Sequence, residues 1–315
     1  MDHIKKATAT SKRRNSDTVI MKACLTDAND ISKVSEWDLD FRQIEPGDLS
    51  VDIAVIQTKK LSLLDFDFSR KLHQTGVSPR DQYTIALPYG DELQDWEGAE
   101  ISSSSIVSFG MGNHFDCVSR GGFSGITISI KKCDIENAID DLGLNLSPGE
   151  LESAGIVNLV RQSKYHRTRQ ALSAIIRESP LDLQDEDIVE NLLSMLQNDT
   201  TARDKSNPRQ RHRAVSIASE IMVNHEEDNI PMTQVCQEAG VSLRCLQRGF
   251  KERFGVGPKT YHKNLRLMRV RSELLEANPS STVSDIANAY GFWHMGQFAK
   301  DYRKLFNELP SDSVG

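Results

Sequence analysis

Residues Met232 to Pro310 contain one structural phrase written twice, and a phrase repeated at a fixed period constrains the fold more than any other feature of this chain. The first copy reads Val235-Cys236-Gln237-Glu238-Ala239-Gly240-Val241 and closes on Phe250, Phe254-Gly255 and Pro258. The second reads Ile286-Ala287-Asn288-Ala289-Tyr290-Gly291-Phe292 and closes on Tyr302, Phe306-Asn307 and Pro310. The turn glycines stand 51 residues apart and the closing prolines 52. Glycine suits the turn because it accepts positive φ without a Cβ clash. Each copy therefore predicts a helix, a tight turn and an amphipathic second helix, which is the helix-turn-helix unit.

Residues 214–223 predict a supporting helix before the first copy. Ser242 is placed to cap the helix after the Gly240 turn. In that helix Leu243, Leu246, Phe250 and Phe254 fall on one face, and Arg244, Gln247, Arg248 and Lys251 on another. Such motifs insert this helix into the major groove, where Arg and Gln can contact guanine and adenine edges bidentately. Arg244, Gln247 and Arg248 are thus candidate base contacts, with Ser242 and Lys251 beside them for phosphates. A long helix over 259–277 would span roughly 27 Å, close to the spacing of successive major grooves at roughly 34 Å. Tyr261, Leu265 and Met268 give it an apolar side, while Lys259, Lys263 and Arg266 line another; Lys259 and Lys263 are candidate phosphate contacts. Thr282 and Asp285 open the second copy as a capping box. Its core stripe is Phe298, Tyr302 and Phe306 behind the Gly291-Phe292 turn. His294 and Gln297 are candidate base contacts, Gly296 would let the backbone approach DNA closely, and Lys300, Arg303 and Lys304 suit phosphates. His294 beside Trp293 reads equally well as a packed structural pair.

The chain has 315 residues and a formal net charge of −7, which suits a nucleic-acid binder poorly until it is divided. From Pro208 onward there are 15 Lys and Arg against 12 Asp and Glu; the acidic balance belongs to the rest. The length allows two domains. No apolar run is long enough to span a membrane, and the basic N-terminus lacks the apolar segment of a signal peptide. Five cysteines, an odd number without a CxxC pair, fit reduced thiols and a cytoplasmic protein.

Residues 1–35 are polar and read as a flexible tail. Residues 36–132 alternate as strands: Val51, Ile53 and Val55, then Ile126, Ile128 and Ile130, with Tyr83–Leu87 and Ile106–Phe109 as further short runs. Turn residues separate them, and a small antiparallel barrel or sandwich is expected. Phe115 stands where a Gly110-x-Gly112 fingerprint would need its third glycine, so no dinucleotide site is expected. His73 and His114 lack metal-ligand spacing and read as structural or surface residues. Trp96, Phe109, Phe115 and Phe123 are core residues or pocket walls. Residues 133–199 turn helical: Ile135, Ala138, Ile139 and Leu142, then Ile156, Leu159 and Val160, then Leu172, Ile175 and Ile176. The stripe Ile188, Leu192, Leu193 and Leu196 faces either a core or a dimer partner. Residues 200–212 read as a linker, leaving 213–315 as the helix-turn-helix domain. The fold class is α+β: a mainly antiparallel β domain, then helices, then an all-α domain.

The run from Ile286-Ala287 through Gly291-Phe292, Phe298, Tyr302-Arg303 and Phe306 to Pro310-Ser311 resembles the C-terminal signature of AraC/XylS-type transcriptional regulators. Gly291-Phe292-Trp293-His294-Met295-Gly296-Gln297-Phe298 is similar, more narrowly, to the ethanolamine-utilisation regulator and its relatives. The resemblance implies a seven-helix domain carrying two helix-turn-helix units on one connecting helix and binding promoter DNA. It also implies an N-terminal effector-binding and dimerisation domain. By position it favours Arg244, Gln247 and Arg248 in the first unit, and His294, Met295, Gly296 and Gln297 in the second, as base contacts. Asn307 replaces the usual glycine, and the closing Tyr-Arg is missing before Gly315, so a short last helix is expected. Expected partners are promoter DNA, RNA polymerase, an unidentified small-molecule effector and a second copy; no cofactor, metal or catalytic residue is expected. Two alternatives stand beside this reading: a small-barrel enzyme with a helical appendage, and a non-specific DNA binder, which would need a strongly basic chain.

Overall fold

Alternating apolar residues organise the first half of the chain into two antiparallel sheets. The structure, a computed structural model, describes residues 8–14, 18–33, 35, 37–89, 93–96, 101, 105–141, 155–158, 162–178, 183–197, 210–227, 230–276 and 281–314. The strands are β1 Thr8–Arg14, β2 Val19–Leu25, β3 Asp38–Gln43, β4 Val51–Gln57, β5 Leu61–Phe68, β6 Leu72–Val77, β7 Gln82–Pro88, β8 Leu93–Trp96, β9 Ser105–Gly110, β10 His114–Ser119, β11 Phe123–Lys131 and β12 Gly155–Asn158. The larger sheet runs β1-β2-β4-β5-β11-β7-β9-β12 and the smaller β3-β6-β10-β8. Three helices follow: α1 Lys132–Asp141, α2 Gln162–Glu178 and α3 Asp185–Gln197.

The larger sheet is covered on both faces, so nearly every residue of β7, β9 and β11 is buried, the intervening Thr127 and Ser129 included. One face packs under α1–α3, bringing Leu63, Ile85 and Ile128 against Ile139, Leu172 and Leu193. The other packs on the smaller sheet through Val51, Phe66, Phe68 and Phe123 against Phe41, Leu72, Trp96 and Phe115. Ile188, Leu192, Leu193 and Leu196 all belong to the first of these cores, which favours the core reading of that stripe. Ile135, Ala138, Ile139, Leu172, Ile175 and Ile176 take helical positions as expected.

Two expectations need correction. The N-terminal tail is ordered where it is described. β1 pairs with β2, β2 pairs with β4, and Ala28–Lys33 form a 3-10 turn with Ile31 buried. The tail's polar residues conceal strands whose support comes from distant pairing partners. Residues 1–7 and 15–17 lie outside the described residues. Ile156 is not helical either: it sits in β12, paired with Val107 of β9. Four residues cannot show a period, and the β9 edge decides the conformation. Leu142, Leu159, Val160 and linker residues 200–209 lie outside the described residues.

The C-terminal part contains α4 Gln210–Asn224, α5 Met232–Glu238, α6 Leu243–Phe254, α7 Pro258–Leu275, α8 Val283–Ala289, α9 Met295–Phe306 and a closing 3-10 turn, Pro310–Ser313. The short turn stands where the resemblance implied a seventh helix. α7 is shared between two cores. Its first half packs with Val215, Met222, Leu246, Phe250 and Phe254, its second with Ile286, Phe298, Tyr302 and Phe306. α4 begins at Gln210, three residues before the boundary expected at 213.

Candidate nucleic-acid interface

The sequence repeat is a repeat of geometry. In both units the first helix has 7 residues and the second 12. Gly240 and Gly291 hold φ of 66° and 72°. Val241 N–H donates to Cys236 O at 3.0 Å and Phe292 N–H to Ala287 O at 3.0 Å, so one hydrogen bond closes each turn. α6 ends on Gly255 at φ 79° and α9 on Asn307 at φ 60°. Asn307 is the one non-glycine with positive φ among the described residues, a conformation Asn tolerates better than most side chains.

The entries to α6 and α9 differ. Two residues, Val241 and Ser242, lead from the first turn glycine into α6, and the Ser242 hydroxyl accepts from Cys245 N–H at 3.2 Å. Three residues, Phe292, Trp293 and His294, lead into α9, and His294 provides no side-chain cap. This extra residue is why the glycines repeat at 51 and the prolines at 52. It leaves Trp293 72% exposed at the start of α9.

Arg244, Gln247 and Arg248 are exposed on α6. Arg248 Nε pairs with Glu252 Oε1 at 2.8 Å, an exposed pair that contributes little and is easily exchanged for another partner. On α9, His294, Gly296 and Gln297 are exposed; a Cβ at Gly296 would meet nothing within 4 Å. Met295 is half-buried and packs against the second core. Lys251, Lys259, Lys300, Arg303 and Lys304 are exposed, with Lys251 Nζ donating to Gly255 O at 2.7 Å. Lys263 is only half-buried, but its Nζ pairs with Asp301 Oδ1 at 2.7 Å and ties α7 to α9. Arg266 is buried, donates from Nη1 to Tyr290 O at 3.1 Å and lies 4.8 Å over the Phe292 ring. It therefore does not share an outer face with Lys259. Leu243, expected in the core, is 42% exposed, because the first turn of α6 projects beyond the packed helices. Phe250, Phe292 and Phe298 are buried as expected.

Nothing in the local sequence signals what holds these units from behind. Arg253 faces inward from α6 and is 3% exposed. Its Nε donates to Asp95 Oδ1 at 3.0 Å, Nη2 to Asp116 Oδ1 at 2.8 Å and Nη1 to Ser216 Oγ at 2.9 Å. Burial opposes charge on both partners. Attraction outweighs it: His73 first and Arg253 second hold the Asp116 carboxyl well below its ordinary range, and Asp116 with Asp95 raises the Arg253 pKa. His73 Nε2 lies 2.7 Å from Asp116 Oδ1, and Nδ1 lies 2.5 Å from the Tyr261 hydroxyl on α7. Burial pushes the His73 pKa down against the pull of Asp116, so the ring is neutral at pH 7. With Nε2–H donating to the carboxylate, Nδ1 accepts from Tyr261, whose own pKa burial raises to about 12. The end of α9 is held too: Leu305 O accepts from Gly47 N–H at 3.0 Å and from Gln43 Nε2 at 3.2 Å, and Asn307 Nδ2 donates to Asp48 Oδ2 at 3.1 Å.

Between the two sheets lies an apolar cavity of about 60 Å3, lined by Trp96, Phe109, Phe115 and Phe123 among others. The aromatic residues pack on one another, Trp96 stacking on Phe115 at 5.7 Å, so they are core and cavity wall at once. Trp96 Nε1 is buried without an acceptor among the described residues.

Residues 235–313 match a helix-turn-helix domain model. The chain is 36% identical over 101 residues to a "Probable thc operon regulatory protein" of Rhodococcus erythropolis, covering 32% of this chain and 30% of that protein. It is 30% identical over 193 residues to "XylDLEGF operon transcriptional activator 1" of Pseudomonas putida, covering 52% and 57%. The chain thus spans between about a third and just over half the length of these curated relatives. A solved structure of a probable AraC family transcriptional regulator from Rhodopseudomonas palustris is 29% identical, covers 32% of this chain and 94% of that one, and superposes with a TM-score of 0.31. Among the described residues no helix is long and apolar enough to cross a membrane. On its signature residues, the domain match and the curated relatives, residues 235–313 form the helix-turn-helix domain of the AraC/XylS family of transcriptional regulators.

Proposed function

We propose that this protein is a sequence-specific regulator of transcription that lays α6 and α9 in successive major grooves of a promoter and is modulated through its β domain. The observation that carries the reading is the pair of 12-residue helices, each buried on an aromatic side and carrying exposed Arg, Lys, Gln or His on another. On this reading Arg244, Gln247, Arg248, His294, Gly296 and Gln297 meet base edges, with Met295 beside them. Ser242, Lys251, Lys259, Lys263, Lys300, Arg303 and Lys304 follow the phosphates. The protein acts in the cytoplasm without catalysis, and its partners are promoter DNA, RNA polymerase and a second copy. A small apolar effector with a hydrogen-bond acceptor would suit the cavity, since Trp96, which lines it, has no acceptor for its Nε1 among the described residues.

Footprinting on the DNA flanking its gene, followed by gel-shift titration, tests the reading; protection of two stretches about one helical turn apart is expected. Arg248→Ala should lose about 1–3 kcal/mol at one base position, whereas Lys300→Ala should weaken all sequences alike and lower the salt slope by about one. Unchanged sequence preference in the first variant would remove Arg248 from the reading surface.

Trp293 adds a contact that spacing alone had left unassigned. An exposed indole at the entry to α9 suits the C5-methyl group of thymine. Replacing the contacted thymine by deoxyuridine should cost about 0.8 kcal/mol, or about fourfold in affinity. Trp293→Ala should bind both probes equally. A variant that still discriminates them would remove Trp293 from this role.

A further inference from the structure

The smaller sheet, only one strand-layer thick, touches the cavity with one face and the helix-turn-helix domain with the other. Side chains alternate across a strand, and the cross-strand register shows which residues stand back to back. Phe41, Gln74, Cys117 and Trp96 are cross-strand neighbours in one row, and all four line the cavity. The adjacent row, one residue along each strand, is Arg42, His73, Val118 and Asp95. These face the other way. Asp95 holds Arg253, His73 holds Tyr261, and Val118 joins the core formed by α4, α6 and α7. The α9 end is fastened just beyond this sheet, where Gln43 and Gly47 reach Leu305 O.

We infer that Arg253 is a positioning residue that couples the cavity to the first recognition helix, so that whatever fills the inner row changes the set of α6 through the outer row. The inference rests on the DNA-binding reading and names its regulation. Arg253 suits the part because its three hydrogen bonds join β8, β10 and α4 to α6. A displacement of either strand is therefore delivered to the helix rather than absorbed by a loop. A buried guanidinium bonded through its three nitrogens to three residues has a fixed fork geometry and little freedom to follow one partner without the others.

The test is a double-mutant cycle on the full-length protein, with promoter-DNA affinity as the readout. Cys117→Leu fills the cavity from the inner row; Arg253→Met keeps the apolar stem and removes the fork. Allosteric coupling of the usual size predicts that Cys117→Leu shifts the dissociation constant by about fivefold or more in the natural background. The same change should have little effect in the Arg253→Met background. A purely structural role for Arg253 would give equal shifts in both. Gln74→Leu, on the same inner row, replaces Cys117→Leu if that variant does not fold, and Asp95→Asn serves as the milder partner of Arg253→Met. Equal shifts in the two backgrounds, or no shift in a folded cavity variant, would overturn the inference. Failure of the unmodified protein to bind any promoter would instead count against the DNA-binding reading.

Discussion

Phe250→Ala should lower the unfolding free energy by about 3–5 kcal/mol and abolish DNA binding, while Leu243→Ala, seven residues earlier on the same helix, should cost well under 1 kcal/mol. Phe250 is fully buried. Its ring lies 5.1 Å from that of Phe254 and 5.3 Å from that of Tyr261. Removing it opens a cavity at the point where α6, α7 and α4 meet, with too little freedom nearby to collapse into it. Leu243 lies at the open end of the helix and loses little transfer energy when shortened. Chemical denaturation of the two variants checks the contrast. Equal losses would mean that α6 is packed along its whole length, contrary to the exposure of its first turn.

Asp116→Ala is the second large effect. Removing one partner of a buried ionic network leaves the others uncompensated, and a loss of about 3 kcal/mol is expected. The carboxylate is a quarter exposed, which places it at the low end for such changes. The pH dependence follows from the shifts. Asp116 has a depressed pKa, so its contribution is complete above the unfolded value near 4 and is lost as the pH falls below it. The gap between variant and natural protein should therefore narrow in acid. His73 adds a separate loss in the same direction. Its folded pKa is also depressed, so the unfolded chain takes up a proton first, and stability falls as the pH drops below about 6.5. Melting curves from pH 7.5 down to about 2 measure both effects. A gap that stays constant in acid would show that Asp116 acts by packing rather than by charge.

How much of this was legible beforehand depended on how local the cause was. Gly240, Gly291, Ser242 and the Phe298-Tyr302-Phe306 stripe were readable because turns, caps and helical faces are settled within a few residues. Strands β4, β7, β9 and β11 were readable for the same reason. β2 was not, since its register is supplied by β4 and its own sequence mixes Lys22 and Cys24 with Ile20 and Leu25. Nothing in the local sequence marks Arg253 as the inward-facing cation of its helix. Its partners Asp95 and Asp116 are 158 and 137 residues away in sequence, and no periodicity links such positions. Arg266 misled for a related reason, being spaced with Lys259 and Lys263 yet turned toward Tyr290 and Phe292.

The added residue ahead of α9 has a consequence for the target. One reader is sealed at its start by a serine hydroxyl; the other begins bare, behind a protruding indole. On the proposed reading, two unlike readers joined by α7 would give the molecule a head and a tail along the duplex. The half-sites should therefore differ in sequence and follow a fixed order, and inverting the operator would turn the β domain toward the opposite flank of the promoter.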